Sequence, residues 1–213
     1  MPQLSNIPLR LLVGLGNPGP KYRHTRHNVG FWWADALAER CGAAWREESK
    51  FRGELTRVRV SGAADALWLL KPQTFMNLSG ESIGALARFH RIEPAEILVV
   101  HDELDLPVGA ARLKFAGGHG GHNGLRNTIS QIGADFWRLR LGIGHPGHKD
   151  QVLDYVLNRA SQEDERALDE AIVASLDALS IFLIEGGEKA MQALHSRTRA
   201  STESSAVDGA RGQ

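Results

Sequence analysis

The sequence L-R-L-L-V-G-L-G-N-P-G-P, from Leu9 to Pro20, passes from an apolar run into a segment rich in glycine and proline. The apolar run predicts a buried strand over Leu9 to Leu15 that ends in a tight turn around Asn17. A helix is predicted next, from Asn28 to Gly42, because apolar residues recur there at helical spacing between an asparagine suited to the N-cap and a glycine suited to ending the last turn. A buried strand followed by such a helix is typical of an α/β fold.

The alternation of strands and helices continues along the chain. Its order predicts a single α/β domain over residues 1–195, with a central mixed, largely parallel sheet flanked by helices on both faces. Residues 196–213 are small, polar and aperiodic, which predicts a disordered tail. The further strands predicted are Leu55 to Val60, Leu67 to Leu70, Ile97 to Val100, Ala111 to Phe115 and Leu139 to Ile143, and the further helices are Leu78 to His90, Leu125 to Ile132 and Gln162 to Ile184.

Composition limits the classes of protein that this chain can represent. With 213 residues, of which 42% are hydrophobic, the chain can bury one ample core. Its 25 basic and 25 acidic residues cancel, so any contact with nucleic acid must come from a local patch. No apolar run approaches the roughly 20 residues that span a bilayer, so no membrane insertion is expected. The single cysteine, Cys41, and the absence of a secretory signal in Met1 to Arg10 indicate a reducing cytoplasm.

Three glycines after the first strand match the dinucleotide-binding fingerprint G-x-G-x-x-G, namely Gly14, Gly16 and Gly19. The fingerprint requires a helix to begin at these glycines, so that its N-terminus meets the pyrophosphate. Pro18 and Pro20 oppose such a helix, and no acidic residue ends a second strand about 20 positions further on. The pattern therefore does not predict a nicotinamide site.

A base and an acid occur at two places that we expect the predicted fold to bring together. His27 lies just before the predicted first helix, and an imidazole can take a proton from water near neutral pH. Asp102 follows the predicted strand Ile97 to Val100, where α/β sheets place functional side chains. A carboxylate there would hold the imidazole in one tautomer and stabilise the imidazolium. Glu103 and Asp105 are the alternative acids, and their position favours them less.

Three carboxamides lie in turns near the predicted functional edge: Asn17, Asn77 and Asn123. Turn and cap positions alone explain many asparagines. A carboxamide also meets peptide C=O and N–H groups without adding charge, which suits a site that holds a peptide. This set of residues suits the hydrolysis of an acyl ester, in which negative charge develops on the ester oxygen. Three groups are candidates to donate a hydrogen bond to that oxyanion: Asn17, Asn77 and a backbone N–H of the glycine-rich segment between Phe115 and Leu125.

The segment between Phe115 and Leu125 is rich in glycine, which suits tight turns, an anion-binding backbone or a hinge. His119 and His122 lie in it, but no thiolate or helical histidine spacing joins them, so no metal site is predicted. Basic side chains flank the segment and suit either phosphate contacts or an ordinary solvated surface. These are Lys114, Arg126, Arg138 and Arg140.

Six motifs occur along the chain in a fixed order. They are N-P-G at Asn17 to Gly19, Y-x-x-T-R-H-N-x-G at Tyr22 to Gly30, K-P-Q-T-F-M-N-x-S-G at Lys71 to Gly80, H-D-E-L-D-L-P at His101 to Pro107, G-G-H-N-G-L at Gly120 to Leu125, and R-L-R-x-G-I-G-H-P-G at Arg138 to Gly147. This set resembles the bacterial-type peptidyl-tRNA hydrolases, from about Leu9 to near Gly186. Trp33 departs from the family pattern, where a smaller aliphatic residue is usual.

The resemblance implies a monomeric, cytoplasmic esterase that needs no cofactor and no metal, has a mixed-sheet α/β fold, and cleaves the bond between a peptide and the terminal ribose of transfer RNA. In its catalytic set, His27 would be the base and Asp102 its orienting acid. Asn17 would bind the peptide near its first amide and help distinguish N-blocked from free aminoacyl-tRNA. The substrate cleft would be lined by Tyr22, Phe75, Asn77 and Asn123, with Met76 and His122 beside them, and Lys114 and Arg140 would face the RNA.

Two other functions remain open for the same residues. One is a non-catalytic RNA-binding module, which the basic side chains support and which the pairing of His27 with Asp102 opposes. The other is a metal-dependent hydrolase that uses His119, His122 and Asp102.

Overall fold

A computed structural model of the protein describes residues 7–195. The predicted disordered tail, 196–213, lies outside the described residues. The strands are β1 (Leu11–Gly14), β2 (Arg46–Glu48), β3 (Gly53–Val58), β4 (Leu67–Pro72), β5 (Ile97–Glu103), β6 (Ala111–Phe115) and β7 (Trp137–Gly142). The helices are α1 (Val29–Arg40), α2 (Ser79–His90), α3 (Asn123–Ile132), α4 (Val152–Leu157) and α5 (Gln162–Glu185), and residues 187–195 are also helical.

The strands form one seven-stranded mixed sheet in the order β2-β3-β4-β1-β5-β7-β6. The four central strands β4, β1, β5 and β7 are parallel, whereas β2, β3 and β6 pair antiparallel at the two edges. The predicted mixed sheet is confirmed. Because the carboxyl ends of the four parallel strands share one edge, the loops that follow them meet there.

Helices cover both faces of the sheet, as predicted. On one face α1 and α5 bury a cluster that includes Leu37 and Leu176, and on the other α2 and α3 bury a cluster that includes Leu86 and Leu125. Trp33 is fully buried on α1, and its indole N–H donates to Ser175 Oγ of α5 at 3.0 Å. Trp33, which departs from the family pattern, therefore links α1 to α5, and its indole N–H has a hydrogen-bond partner there.

Gly14 at the end of β1 and Gly16 just beyond it allow close packing. A Cβ on Gly14 would lie 2.1 Å from the carbonyl oxygen of Gly30 in α1, and one on Gly16 would lie 2.6 Å from the Phe31 ring. The helix begins only at Val29, well beyond these glycines. The spacing that matches a dinucleotide fingerprint thus lets α1 lie directly against β1.

Two local predictions need correction. Asp102 does not follow its strand, because β5 continues to Glu103 and Asp102 pairs in register with Leu141 of β7. Asn28 precedes α1 at the N-cap position, but its side chain makes no capping hydrogen bond. Sequence analysis also missed β2 and α4, which are short and bury little apolar surface.

Candidate active site

A pair of side chains at the carboxyl edge of the sheet has the geometry of a base and its orienting acid. His27 lies in a short 3₁₀ turn, Arg26–Asn28, that precedes α1, and Asp102 lies near the end of β5. His27 Nδ1 is 2.9 Å from Asp102 Oδ1 and 3.0 Å from Oδ2. The side chain of Asp102 is 3% exposed and that of His27 is 13% exposed. His27 Nε2 has no hydrogen-bond partner within residues 7–195, so it is the ring atom available to a substrate water.

The charges of this pair follow from its surroundings. Burial disfavours the ionised form of Asp102, but the two imidazoles beside it, His27 and His122, outweigh burial and hold the pKa of that carboxyl well below its ordinary value. Burial likewise disfavours a charged His27, but the charge and hydrogen bond of Asp102 outweigh it and raise the pKa of the imidazole above 6.5. Asp102 is therefore an anion at neutral pH, and its carboxylate fixes the proton of a neutral His27 on Nδ1.

A second imidazole contacts the same carboxylate. His122 Nε2 donates to Asp102 Oδ1 at 3.0 Å, and His122 Nδ1 accepts from the backbone N–H of Leu125 at 3.2 Å. His122 is therefore the N-cap of α3, and both of its ring nitrogens are engaged. The resemblance placed His122 beside the substrate cleft; the structure places it against the orienting acid, with its ring centroid 5.0 Å from that of His27.

A third imidazole, His101, lies under this group and is buried. Its Nδ1 donates to the carbonyl oxygen of Asp102 at 2.8 Å. Burial, together with the neighbouring His122, lowers the pKa of His101 to about 3. His101 is thus neutral at working pH and adds no positive charge beside Asp102.

Asn17 is fixed by a set of hydrogen bonds at the end of β1. Its backbone N–H donates to Asn28 Oδ1 at 2.8 Å, and Asn28 Nδ2 donates back to the Asn17 carbonyl at 2.9 Å. The backbone N–H of Met76 donates to Asn17 Oδ1 at 2.8 Å. Because its oxygen is occupied, Asn17 presents the N–H donors of Nδ2, which have no partner among the described residues.

The start of α3 packs closely against Met76 and His122 at Gly124. A Cβ on Gly124 would lie 2.6 Å from Met76 Sδ and 3.0 Å from the His122 ring, so a larger residue would require these side chains to move. Asn123, the first residue of α3, is exposed, and its Oδ1 accepts from the Arg126 guanidinium at 3.0 Å. The group around Asp102 and the group around Asn17 therefore meet where α3 begins.

The other predicted cleft residues lie on the turns after β1 and β4. The rings of Tyr22 and Phe75 meet edge to face, with their centroids 6.4 Å apart, and Phe75 is 56% exposed. Asn77 is exposed on the 3₁₀ turn Met76–Leu78, whereas the Met76 side chain is buried. Phe75 and Asn77 thus offer an apolar and a polar surface to a ligand on the turn after β4.

The predicted RNA contacts lie on the antiparallel pair β6 and β7. Lys114 is exposed and pairs in register with Arg138, and Arg140 donates to Glu103 Oε2 at 2.8 Å. Arg138 is buried instead, and its guanidinium donates to the carbonyl oxygens of Gly117 and Gly118. Arg138 therefore anchors the glycine-rich loop.

One group of described side chains has metal-ligand geometry: His27, Asp102 and His122 offer ligand atoms within 4.8 Å of one another. Both imidazoles use their nearest nitrogen to donate to Asp102 Oδ1, so a metal ion would have to displace both protons. Among the described residues His119 does not belong to this group, and its Nδ1 accepts from the backbone N–H of Gly121.

A buried carboxylate that orients an imidazole, with amide donors beside it, is an arrangement that can activate water for hydrolysis. The chain belongs to the peptidyl-tRNA hydrolase family, since the model of that family matches residues 11–203. Peptidyl-tRNA hydrolase of Xanthomonas campestris pv. campestris is 57% identical over 188 residues, which are 88% of this chain and 96% of the relative. That of Stenotrophomonas maltophilia is 54% identical over 88% of this chain and 97% of the relative.

A solved structure of a member of this family has the same fold. A crystal structure of peptidyl-tRNA hydrolase from Acinetobacter baumannii superposes with a TM-score of 0.83 at 44% identity, covering 87% of this chain and 94% of the other. Among residues 7–195, no helix is long and apolar enough to cross a membrane.

Proposed function

We propose that this peptidyl-tRNA hydrolase cleaves the ester bond between a peptide, or an N-blocked amino acid, and the 3′-terminal ribose of transfer RNA, with His27 as the general base. The observation that carries this assignment is the contact of 2.9 Å between His27 Nδ1 and the buried Asp102 carboxylate. The contact leaves the lone pair of His27 Nε2 free for a water molecule.

The reaction needs no covalent intermediate, because an aminoacyl ester is already more reactive than an amide. His27 Nε2 takes a proton from water as the water oxygen bonds to the ester carbonyl carbon. Asp102 stabilises the imidazolium that forms. The tetrahedral intermediate then breaks its bond to the ribose oxygen, and His27 returns the proton to that oxygen. The products are a free peptide and a free transfer RNA.

Asn17 acts in this proposal as a donor. Its Oδ1 is held by the Met76 backbone N–H, so Nδ2 faces an acceptor such as a peptide carbonyl or the oxyanion that develops from the ester. Asn77 and a backbone N–H of the glycine-rich loop remain the other candidates for the oxyanion. Tyr22, Phe75, Asn77 and Asn123 line the substrate cleft.

The remaining parts of the proposal follow the resemblance to the family. Lys114 and Arg140 bind RNA phosphates, and the exposed position of Lys114 supports this role. The enzyme works as a monomer in the cytoplasm and uses no metal ion.

The function is tested by incubating the wild type with N-acetyl-aminoacyl-tRNA and measuring the release of N-acetyl-amino acid. Catalytic release is expected, and it is expected to continue after exhaustive chelation. Binding of this RNA without turnover would identify a non-catalytic module instead, and loss of activity on chelation, restored by a metal ion, would identify a metal-dependent hydrolase.

Substitution of Asn17 separates its donor from its acceptor. In Asn17→Asp a carboxylate oxygen can still accept from the Met76 N–H, whereas the donor is lost. We expect the rate on N-acetyl-aminoacyl-tRNA to fall about 10²-fold or more, because one missing donor to an oxyanion costs that much. The preference over unblocked aminoacyl-tRNA is also expected to fall. Rates are compared on both substrates at one pH, and an unchanged rate together with unchanged discrimination would remove Asn17 from the mechanism.

A further inference from the structure

His122 has no role in the proposed reaction, yet its side chain makes two hydrogen bonds within the site. Its ring is close to two other imidazoles, with centroids 5.0 Å from His27 and 5.2 Å from His101. Its side chain is 9% exposed. Both ring nitrogens are already used, one by Asp102 and one by Leu125.

The two hydrogen bonds define the protonation state of His122. Nδ1 accepts from a backbone N–H, so it carries no proton, and Nε2 must then carry the proton that it donates to Asp102 Oδ1. A neutral ring satisfies both bonds, and protonation of Nδ1 would break the cap of α3. His122 is thus a donor of fixed direction.

The acceptor is the same oxygen that holds the base. Asp102 Oδ1 lies 2.9 Å from His27 Nδ1 and 3.0 Å from His122 Nε2. A carboxylate held from two sides has a fixed orientation, and a donor on one side weakens it as a partner for a proton on the other. Through this shared oxygen the start of α3 is connected to the base.

We propose that His122 is a positioning residue that holds the Asp102 carboxylate against His27 and couples the start of α3 to the base. The proposal rests on the function proposed above. It assigns His122 the role of orienting Asp102, whereas the family resemblance implied only a position beside the substrate cleft.

Other groups around the base do not supply this second contact. His101 donates to the backbone carbonyl of Asp102 and not to the carboxylate. Arg138, whose charge also helps to lower the pKa of His101, is engaged with the loop carbonyls. Glu103 pairs with Arg140. Within the described residues, His122 and His27 are the side chains that donate to the Asp102 carboxylate.

Two substitutions separate the two bonds of His122. In His122→Asn the amide oxygen lies near the place of Nδ1 and can cap α3, because asparagine is a strong N-cap, but the side chain is too short to reach Asp102. In His122→Gln the amide N–H lies near the place of Nε2 and can donate to Asp102, whereas the cap is weakened. His119→Asn is the matched control on the same loop, since asparagine can replace the local acceptor for Gly121.

The measurement is the dependence of kcat, KM and kcat/KM on pH for N-acetyl-aminoacyl-tRNA. When the second donor to Asp102 is lost, the carboxylate holds the His27 proton more tightly, so the inactive imidazolium persists to higher pH. We expect His122→Asn to lower kcat about 10-fold and to move the acid limb of kcat/KM upward by about half a unit or more, with KM changed less than about 2-fold. His122→Gln is expected to restore the position of the limb, and His119→Asn to leave it unchanged.

A substrate contact would give another pattern. If His122→Asn and His122→Gln both raise KM and leave the acid limb in place, His122 binds substrate and the proposal is overturned. An unchanged limb and an unchanged kcat in His122→Asn would overturn it equally. If the wild type itself shows no turnover, the proposed function fails, and that result is distinct from failure of the role of His122.

Discussion

His27→Ala is expected to release N-acetyl-amino acid from N-acetyl-aminoacyl-tRNA about 10² to 10⁴ times more slowly than the wild type, because no other group replaces the general base. The Asp102 carboxylate contacts Nδ1 of the wild-type ring, on the side away from Nε2, so it is not placed to act as the base instead. Binding of the RNA is expected to change little, since the proposed phosphate contacts Lys114 and Arg140 lie on β6 and β7. Single-turnover release measures the first effect and equilibrium binding the second.

The control for this substitution is His24→Ala. His24 is an exposed histidine three positions earlier, and it is not part of the site. It is expected to keep the wild-type rate. Retention of more than about a tenth of the activity in His27→Ala would contradict the role of His27 as the base.

Asp102→Asn is expected to lower kcat/KM about 10² to 10⁴-fold, because a neutral amide neither fixes the His27 tautomer nor stabilises the imidazolium. It is also expected to move the acid limb of kcat/KM to lower pH. The wild-type limb is expected above the ordinary range of a histidine, because the carboxylate raises the pKa of His27 against the effect of burial. Without the charge, burial alone acts and the pKa falls.

The sign of the pH shift distinguishes the two partners of the carboxylate. Loss of Asp102 moves the acid limb down, and loss of the His122 donor moves it up. Thermal denaturation of each variant checks that the fold is intact, since Asp102 is buried among polar partners. An acid limb that stays in place in Asp102→Asn would show that His27 is not held by this carboxylate.

The sequence predicted the two residues on which the site depends because of a general property of parallel sheets. Strands β1 and β5 are neighbours in the sheet, so the loop after β1 and the end of β5 lie at one edge. This places His27 near Asp102 without any detail of side-chain geometry. The alternation of apolar runs was sufficient to predict the strands and helices that form that edge, including β6 from Ala111 to Phe115 without error.

The sequence did not predict how the polar side chains pair. Asn28 was expected to cap α1, but it holds the backbone of Asn17 instead. Arg138 was grouped with phosphate contacts, although it anchors the glycine-rich loop. These partners depend on the path of loops whose geometry no periodicity describes, and a polar side chain accepts whichever donor or acceptor that path supplies.

His122 shows the same limit in the site itself. The motif G-G-H-N-G-L indicates a turn before a helix, and it contains no signal that the ring faces a carboxylate 20 positions away along the chain. The N-cap of α3 gives the ring its direction, because its Nδ1 is held by the Leu125 N–H. A histidine that caps a helix at the edge of a sheet is thus able to reach the end of a neighbouring strand.

The most direct test of the central claim is the tautomer of His27, measured by ¹⁵N NMR of the imidazole in the wild type at a pH where the ring is neutral. A hydrogen bond from Nδ1 to Asp102 predicts a proton on Nδ1 and a bare Nε2, and the Asp102→Asn variant is expected to lose this preference. A neutral ring with its proton on Nε2 would contradict the account, because such a ring has no lone pair facing the substrate.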